Sequence, residues 1–304
     1  MSFKEIFIDP CDIHFAAYWP ILVMSFFVTA ACGLVGNYLV LRKISLVGDA
    51  ISHSVLPGIA IAYMIAGSRS DLPMLIGALI AGILTTLIIE LIHSRSKIKQ
   101  DAAIGITFTT MFAIGVILVS VYGADTDLDL DCVLFGKLDF IASKEKVFLG
   151  LPQIVLTMGI ILLAIVFLIV LFYKELLVSS FDPNFAATLG IKPRFVHYCL
   201  MCSLSVVVVS AFSSVGAILV IAMLILPAAT VYLLTDKLWL MMILSVVHSF
   251  LSSMIGLHLT VALQVSTAPA CVVAGMFLFI TTWIISPKYG LLRHFSNSFD
   301  LSTF

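Results

Sequence analysis

Long apolar stretches alternate with short polar ones along the whole chain. Runs long enough to cross a bilayer as helices lie at about 16–41, 50–66, 73–92, 103–122, 149–173, 196–212, 215–234, 238–258 and 267–286. This predicts nine spans, with eight as the alternative. The region 196–234 reads either as two spans joined at Ser213–Ser214 or as one span plus a broken segment. The longest polar connections are 123–148 and 174–195, and neither is a soluble domain. No internal repeat or low-complexity tract is visible. The expected fold is all-α: a polytopic transmembrane helical bundle forming a single domain over residues 1–304.

Composition supports the same class. Of the 304 residues, 62% are apolar and only 11% are charged, whereas soluble domains carry roughly 25% charged residues. Too few charges are present to cover a water-facing surface. Disorder, a collagen, a coiled coil and a secreted disulfide scaffold are excluded as well. A net charge of −1 provides no basic field for nucleic acid. Six cysteines fit no disulfide framework. Cys32, Cys199, Cys202 and Cys271 lie in apolar runs and are expected to be small buried residues. Residues 1–14 carry acids as well as one lysine, unlike the basic start of a cleavable signal.

Lys and Arg placement sets the expected orientation. With the loop after the first span inside, 11 of the 16 basic residues are cytoplasmic, among them Arg42, Lys43, Arg95, Lys97, Lys99, Lys174, Lys192, Arg194 and Lys237. The N-terminus is then outside and the C-terminus inside. The acidic stretch Asp125, Asp127, Asp129 and Asp131 is outside, a solvated loop that could also concentrate cations.

Ionisable residues within spans are functional candidates because burying charge in lipid is costly. The sequence LVGDAISHSVLPG (46–58) opens the second run. Asp49 and His53 are four residues apart, so a helix places both on one face. A carboxylate and an imidazole form a partial ligand set for a divalent transition metal. Pro57 cannot donate to the carbonyl four residues back, which belongs to His53, and Gly58 eases local unwinding. The same pattern also fits Asp49 as a helix cap with His53 satisfied by a neighbouring helix.

Other features are less specific. His197, Cys199 and Cys202 in HYCLMC (197–202) offer one C-x-x-C with no partner pair, so packing is favoured over a soft-metal or redox site. Pro227 frees the carbonyl of Met223 in SSVGAILVIAMLILPAAT (213–230), which suits either a kinked packing helix or a pathway. His248 and His258 read as core or interfacial residues, and Glu90 as an interfacial acid. No G-x-x-x-x-G-K-[ST], H-E-x-x-H or G-x-S-x-G occurs, so ATP hydrolysis by a P-loop, zinc-protease chemistry of that type and a nucleophile elbow are unsupported.

Segment 174–195 reads as a short helix, with Asp182 as cap, Pro183 at its first position and Gly190 as stop. Phe181 and Phe185, four apart, would present one aromatic face to a partner groove or to the lipid interface.

Taken together, LVLRKISLVGDAISHSVLPGIAIAY (39–63), FDPNFAATLGIKP (181–193) and SVGAILVIAMLILPAAT (214–230) resemble the bacterial metal-ion ABC transporter permeases. The resemblance implies a permease subunit in the bacterial cytoplasmic (inner) membrane that imports manganese, zinc or iron. It implies three partners: a cytoplasmic ATP-binding subunit, an extracytoplasmic metal-binding protein, and a second permease in a homodimer or heterodimer. It also implies that Asp49 and His53 are the polar pair of the pore and that 181–193 is the segment coupled to the ATPase. The metal would be cargo rather than a permanently bound cofactor, and the permease would not itself be an enzyme. Two alternatives remain from other classes: an ion-coupled secondary metal carrier and an intramembrane metalloenzyme.

Overall fold

A computed structural model describes residues 15–66, 71–122, 138, 146–148, 151–286 and 290. The acidic stretch Asp125–Asp131, the N-terminal residues 1–14 and the C-terminal Lys288 and Arg293 lie outside the described residues.

Helices dominate because an apolar chain in lipid must satisfy its backbone polar groups internally. In chain order they are α1 (Phe15–Leu41), α2 (Val47–Ala66), α3 (Asp71–Arg95), α4 (Gln100–Tyr122), α5 (Gln153–Leu171), α6 (Tyr173–Phe181), α7 (Pro183–Thr188), α8 (Pro193–Val215), α9 (Ala217–Tyr232), α10 (Leu238–Leu263) and α11 (Thr267–Ile285). Before α5, two short strands, β1 (Lys146–Phe148) and β2 (Leu151–Pro152), pair antiparallel.

Among the described residues, eight helices are long and apolar enough to cross a membrane. The run at 215–234, counted as a ninth span, is instead the 16-residue helix α9. At about 1.5 Å per residue it is about 24 Å long, short of the ~30 Å hydrocarbon core. The break that shortens it falls at Gly216 rather than at Ser213–Ser214. Gly216 takes φ 83°, a conformation that glycine adopts without penalty, and its N–H closes α8 on the Phe212 carbonyl.

The chain divides into two compact units. One comprises Met1–Val40, Leu138–Leu162 and Ala222–Phe304. Within its largely apolar interior a seam of small polar groups runs between α1 and α10. Asn37 Nδ2 donates to Ser245 Oγ at 2.9 Å, Ser249 Oγ donates to the Thr29 carbonyl at 3.0 Å, and Thr29 Oγ1 lies 3.2 Å from Ser253 Oγ. Such side-chain hydrogen bonds hold helices together where lipid supplies no hydrophobic drive.

The other unit comprises Leu41–Lys137 and Leu163–Ile221. Here α2 packs against α3 and α4, and α8 against α3 and α2. Gly58 of α2 meets Gly77 of α3 backbone to backbone: a Cβ on either would collide with the other's carbonyl oxygen. Gly115 of α4 makes room for the ring of Pro57 in the same way, with 2.9 Å between a notional Cβ and Pro57 Cδ.

Candidate functional site

A tight turn delivers α2. Lys43 takes φ 60°, and the Val47 N–H bonds back to the Ile44 carbonyl at 3.1 Å. Asp49 is then the third helical residue, inside the first turn rather than at the cap, where the positive end of the helix dipole favours a carboxylate. One turn on, His53 Nε2 lies 3.4 Å from Asp49 Oδ1. The imidazole is braced by two aromatic rings of α4, Phe108 at 5.3 Å and Phe112 at 5.9 Å between centroids.

Burial along α2 follows its helical period. Ile51, Ser52, Ser54, Val55, Pro57 and Gly58 are buried, while Asp49, His53, Leu56 and Ala60 are only partly so. The side chains of His53 and Asp49 stay 34% and 41% exposed. The packed face, held by Gly58 and Pro57, thus fixes the rotation of α2 and turns the carboxylate–imidazole pair outward. The helix is continuous through Pro57 and Gly58, so Gly58 serves close packing with Gly77 instead of unwinding. Pro57 still has no N–H to give to the His53 carbonyl. Among the described residues no cluster of three or more His, Cys, Asp or Glu forms, so a cation at this pair would complete its shell with backbone oxygen, water or groups from elsewhere.

Met223 and Pro227 of α9 belong to the first unit. Met223 is fully buried, with Ser252 Oγ 4.0 Å from its sulfur, and Pro227 lies over Gly33 of α1. His248 is buried near Gly275 of α11, and His258 Nδ1 lies 2.8 Å from the Met254 carbonyl. Cys32 and Cys271 are buried as expected, but Cys199 is exposed and Cys202 only partly covered. They share an outward stripe of α8 with Phe195 and Tyr198, which is why burial fails there.

The local signals at 182–190 are realised in full. Asp182 caps α7 by accepting from the Asn184 and Phe185 N–H groups at 3.0 and 2.9 Å, and Pro183 occupies the first position. At the other end the Gly190 N–H bonds to Ala187 O and the Ile191 N–H to Ala186 O, both at 3.1 Å, with Gly190 at φ 80°. The aromatic face differs from expectation. Asp182 is extended, so Phe181 ends α6 while Phe185 sits on α7, and their four-residue spacing is not a helical repeat. Both rings are nevertheless exposed, as is Leu189.

Sequence reasoning missed one polar cluster. Arg42, after α1, donates from Nε to Ser180 Oγ at 3.1 Å and from Nη2 to Ser179 Oγ at 2.9 Å, while its Nη1 lies 3.2 Å from His197 Nδ1. His197 Nε2 is in turn 3.2 Å from Glu90 Oε2. Glu90 and His197 each looked solitary, because their partners are distant in the chain. The available signal was that Arg42, Glu90, His197 and the serines all fall at the same expected membrane face.

These features define a multi-pass α-helical membrane protein whose half-open polar pair lies at the start of a packed, glycine-clamped helix. Residues 15–286 match the profile of the ABC 3 transport family, and the chain belongs to that family. It is 40% identical over 275 residues to the manganese transport system membrane protein MntD of Bacillus subtilis, covering 90% of this chain and 93% of that one. The zinc transport system membrane protein TroD of Treponema pallidum is 41% identical over 275 residues, covering 90% of this chain and 75% of that one. A chain of the solved structure of PsaBC from Streptococcus pneumoniae in complex with Fab superposes with a TM-score of 0.77 at 36% identity, covering 96% of this chain and 99% of that one.

Proposed function

We propose that this chain is the permease subunit of an ATP-driven importer of a divalent transition-metal ion, manganese, zinc or iron, and forms part of its translocation pathway. The observation that carries this is the Asp49–His53 pair, 3.4 Å apart on the partly exposed face of α2. The Asp49 carboxylate offsets part of a dication's charge where the dielectric is low. The His53 nitrogen favours transition metals over magnesium or calcium. Relatives named for manganese and for zinc support the cargo class. An incomplete ligand set suits transit, because a permease must accept the ion and then let it go.

The chain is not an enzyme in this reading. A separate cytoplasmic ATP-binding subunit hydrolyses ATP and docks on segment 174–195, where Phe181, Phe185 and Leu189 are exposed and Asp182 and Gly190 fix the ends of α7. An extracytoplasmic metal-binding protein delivers the ion, and a second permease, identical or related, completes the pathway. The assembly sits in the bacterial cytoplasmic membrane, and the metal is cargo with no resident cofactor required.

The test is uptake of manganese, zinc or iron into vesicles holding the chain with its partner permease and ATP-binding subunit, with the metal-binding protein supplied outside. Uptake that requires ATP inside the vesicles, on the side of the ATP-binding subunit, supports the reading. Uptake by the chain alone, driven by a proton or sodium gradient, identifies a secondary carrier instead.

A further inference from the structure

We infer that Arg42 and His197 form a tie that couples the ATPase-docking segment to the metal-bearing helix, and that they act as positioning residues for transport. This rests on the permease reading above. The tie joins four elements of one compact unit. Arg42 occupies the turn that becomes α2, seven residues before Asp49. Ser179 and Ser180 lie in the last turn of α6, which ends at Phe181, next to the Asp182 cap of α7. Glu90 lies on α3, which is clamped to α2 through Gly77 and Gly58, and His197 lies on α8.

Chemistry fixes the direction of each hydrogen bond. A guanidinium has donors only, so His197 Nδ1 accepts from Arg42 and its proton resides on Nε2, which donates to Glu90. The imidazole thus bridges a cation and an anion. Three guanidinium nitrogens are each committed to a different partner, at 2.9–3.2 Å. Lysine cannot reproduce that fork. A displacement of α7 is passed through Ser179 and Ser180 to Arg42 and hence to the first turn of α2. Glu90 and His197 hold the guanidinium against α3 and α8 so that it transmits the movement instead of yielding to it.

The experiment measures ATP hydrolysis together with uptake of whichever of manganese, zinc or iron the wild type accumulates. The vesicles contain the chain, its partner permease and its ATP-binding subunit, with the metal-binding protein outside. Arg42→Lys and His197→Phe are expected to assemble and hydrolyse ATP while metal moved per ATP falls about tenfold, within the range by which such residues alter coupling. His197→Gln keeps one acceptor for Arg42 and one donor for Glu90, and it is expected to retain most of the wild-type ratio. A wild-type ratio in both Arg42→Lys and His197→Phe overturns the inference. So does a proportional loss of hydrolysis and uptake with a lowered Tm, which marks a merely structural contact. So does equal uncoupling by His197→Gln and His197→Phe. Wild-type vesicles that take up none of the three metals with ATP overturn the permease reading, and this inference with it.

Discussion

Gly58 of α2 and Gly77 of α3 touch backbone to backbone, each filling the space where the other's Cβ would stand. The contact lies five residues beyond His53 and sets how α2 is rotated. Gly58→Ala therefore forces the two helices apart, because the obstacle is a carbonyl oxygen and not a pliable side chain. We expect a loss of about 1–3 kcal/mol, typical of overpacking, seen as a lower Tm in detergent and lower metal uptake. Gly105→Ala is the control. A Cβ there meets nothing within 4 Å, and no loss of stability is expected.

Segment 173–190 presents Phe185 at 53% exposure on a helix capped at both ends. Phe185→Asp places a charge in the surface assigned to the ATP-binding subunit. We expect the variant to insert normally and to lose transport-linked ATP hydrolysis. Full coupling in that variant would rule out docking through this face.

Gly190 sits at φ 80° with open space around it, so its role is conformational and not steric. Gly190→Ala is expected to weaken the end of α7 by about 1–2 kcal/mol, the penalty of a side chain in the left-handed region. The gain in protease sensitivity should be confined to 183–192. An unchanged digestion pattern would show that the cap does not hold this segment.

How much of this was readable in advance differs by feature, for a physical reason. The spans were legible because lipid demands long apolar runs, and α7 was legible because caps are local: Asp182, Pro183 and Gly190 each act on neighbours a few residues away. Asp49 and His53 were legible as a pair because one helical turn separates them. The break at Gly216 was misplaced because two serines looked like a joint, whereas the backbone needed the positive φ that glycine tolerates. The Phe181–Phe185 face was misread because a cap residue interrupts the helical period. The Arg42–His197–Glu90 cluster left only a shared membrane face as its signal, since separations such as the 155 residues from Arg42 to His197 leave no periodic trace.

Orientation is open to direct measurement. Reporters fused after Lys99 and after Lys192 should read cytoplasmic, and one fused near Asp129 should read extracytoplasmic. The reverse pattern would move segment 174–195 away from any cytoplasmic partner.

The central claim is that Asp49 and His53 contact the transported ion. The direct measurement is radiolabelled manganese or zinc uptake in vesicles holding the chain with its partner permease, ATP-binding subunit and external metal-binding protein, comparing wild type with Asp49→Ala and His53→Ala. Both variants should express and assemble normally, since each side chain is partly exposed and neither belongs to the buried face of α2. Both should stop uptake, with Asp49→Ala the more severe, because it removes the charge that offsets a dication in low dielectric. Wild-type uptake by both variants would mean that the pair is structural, and the ion's path would then have to be sought at α9, which carries Met223 and Pro227.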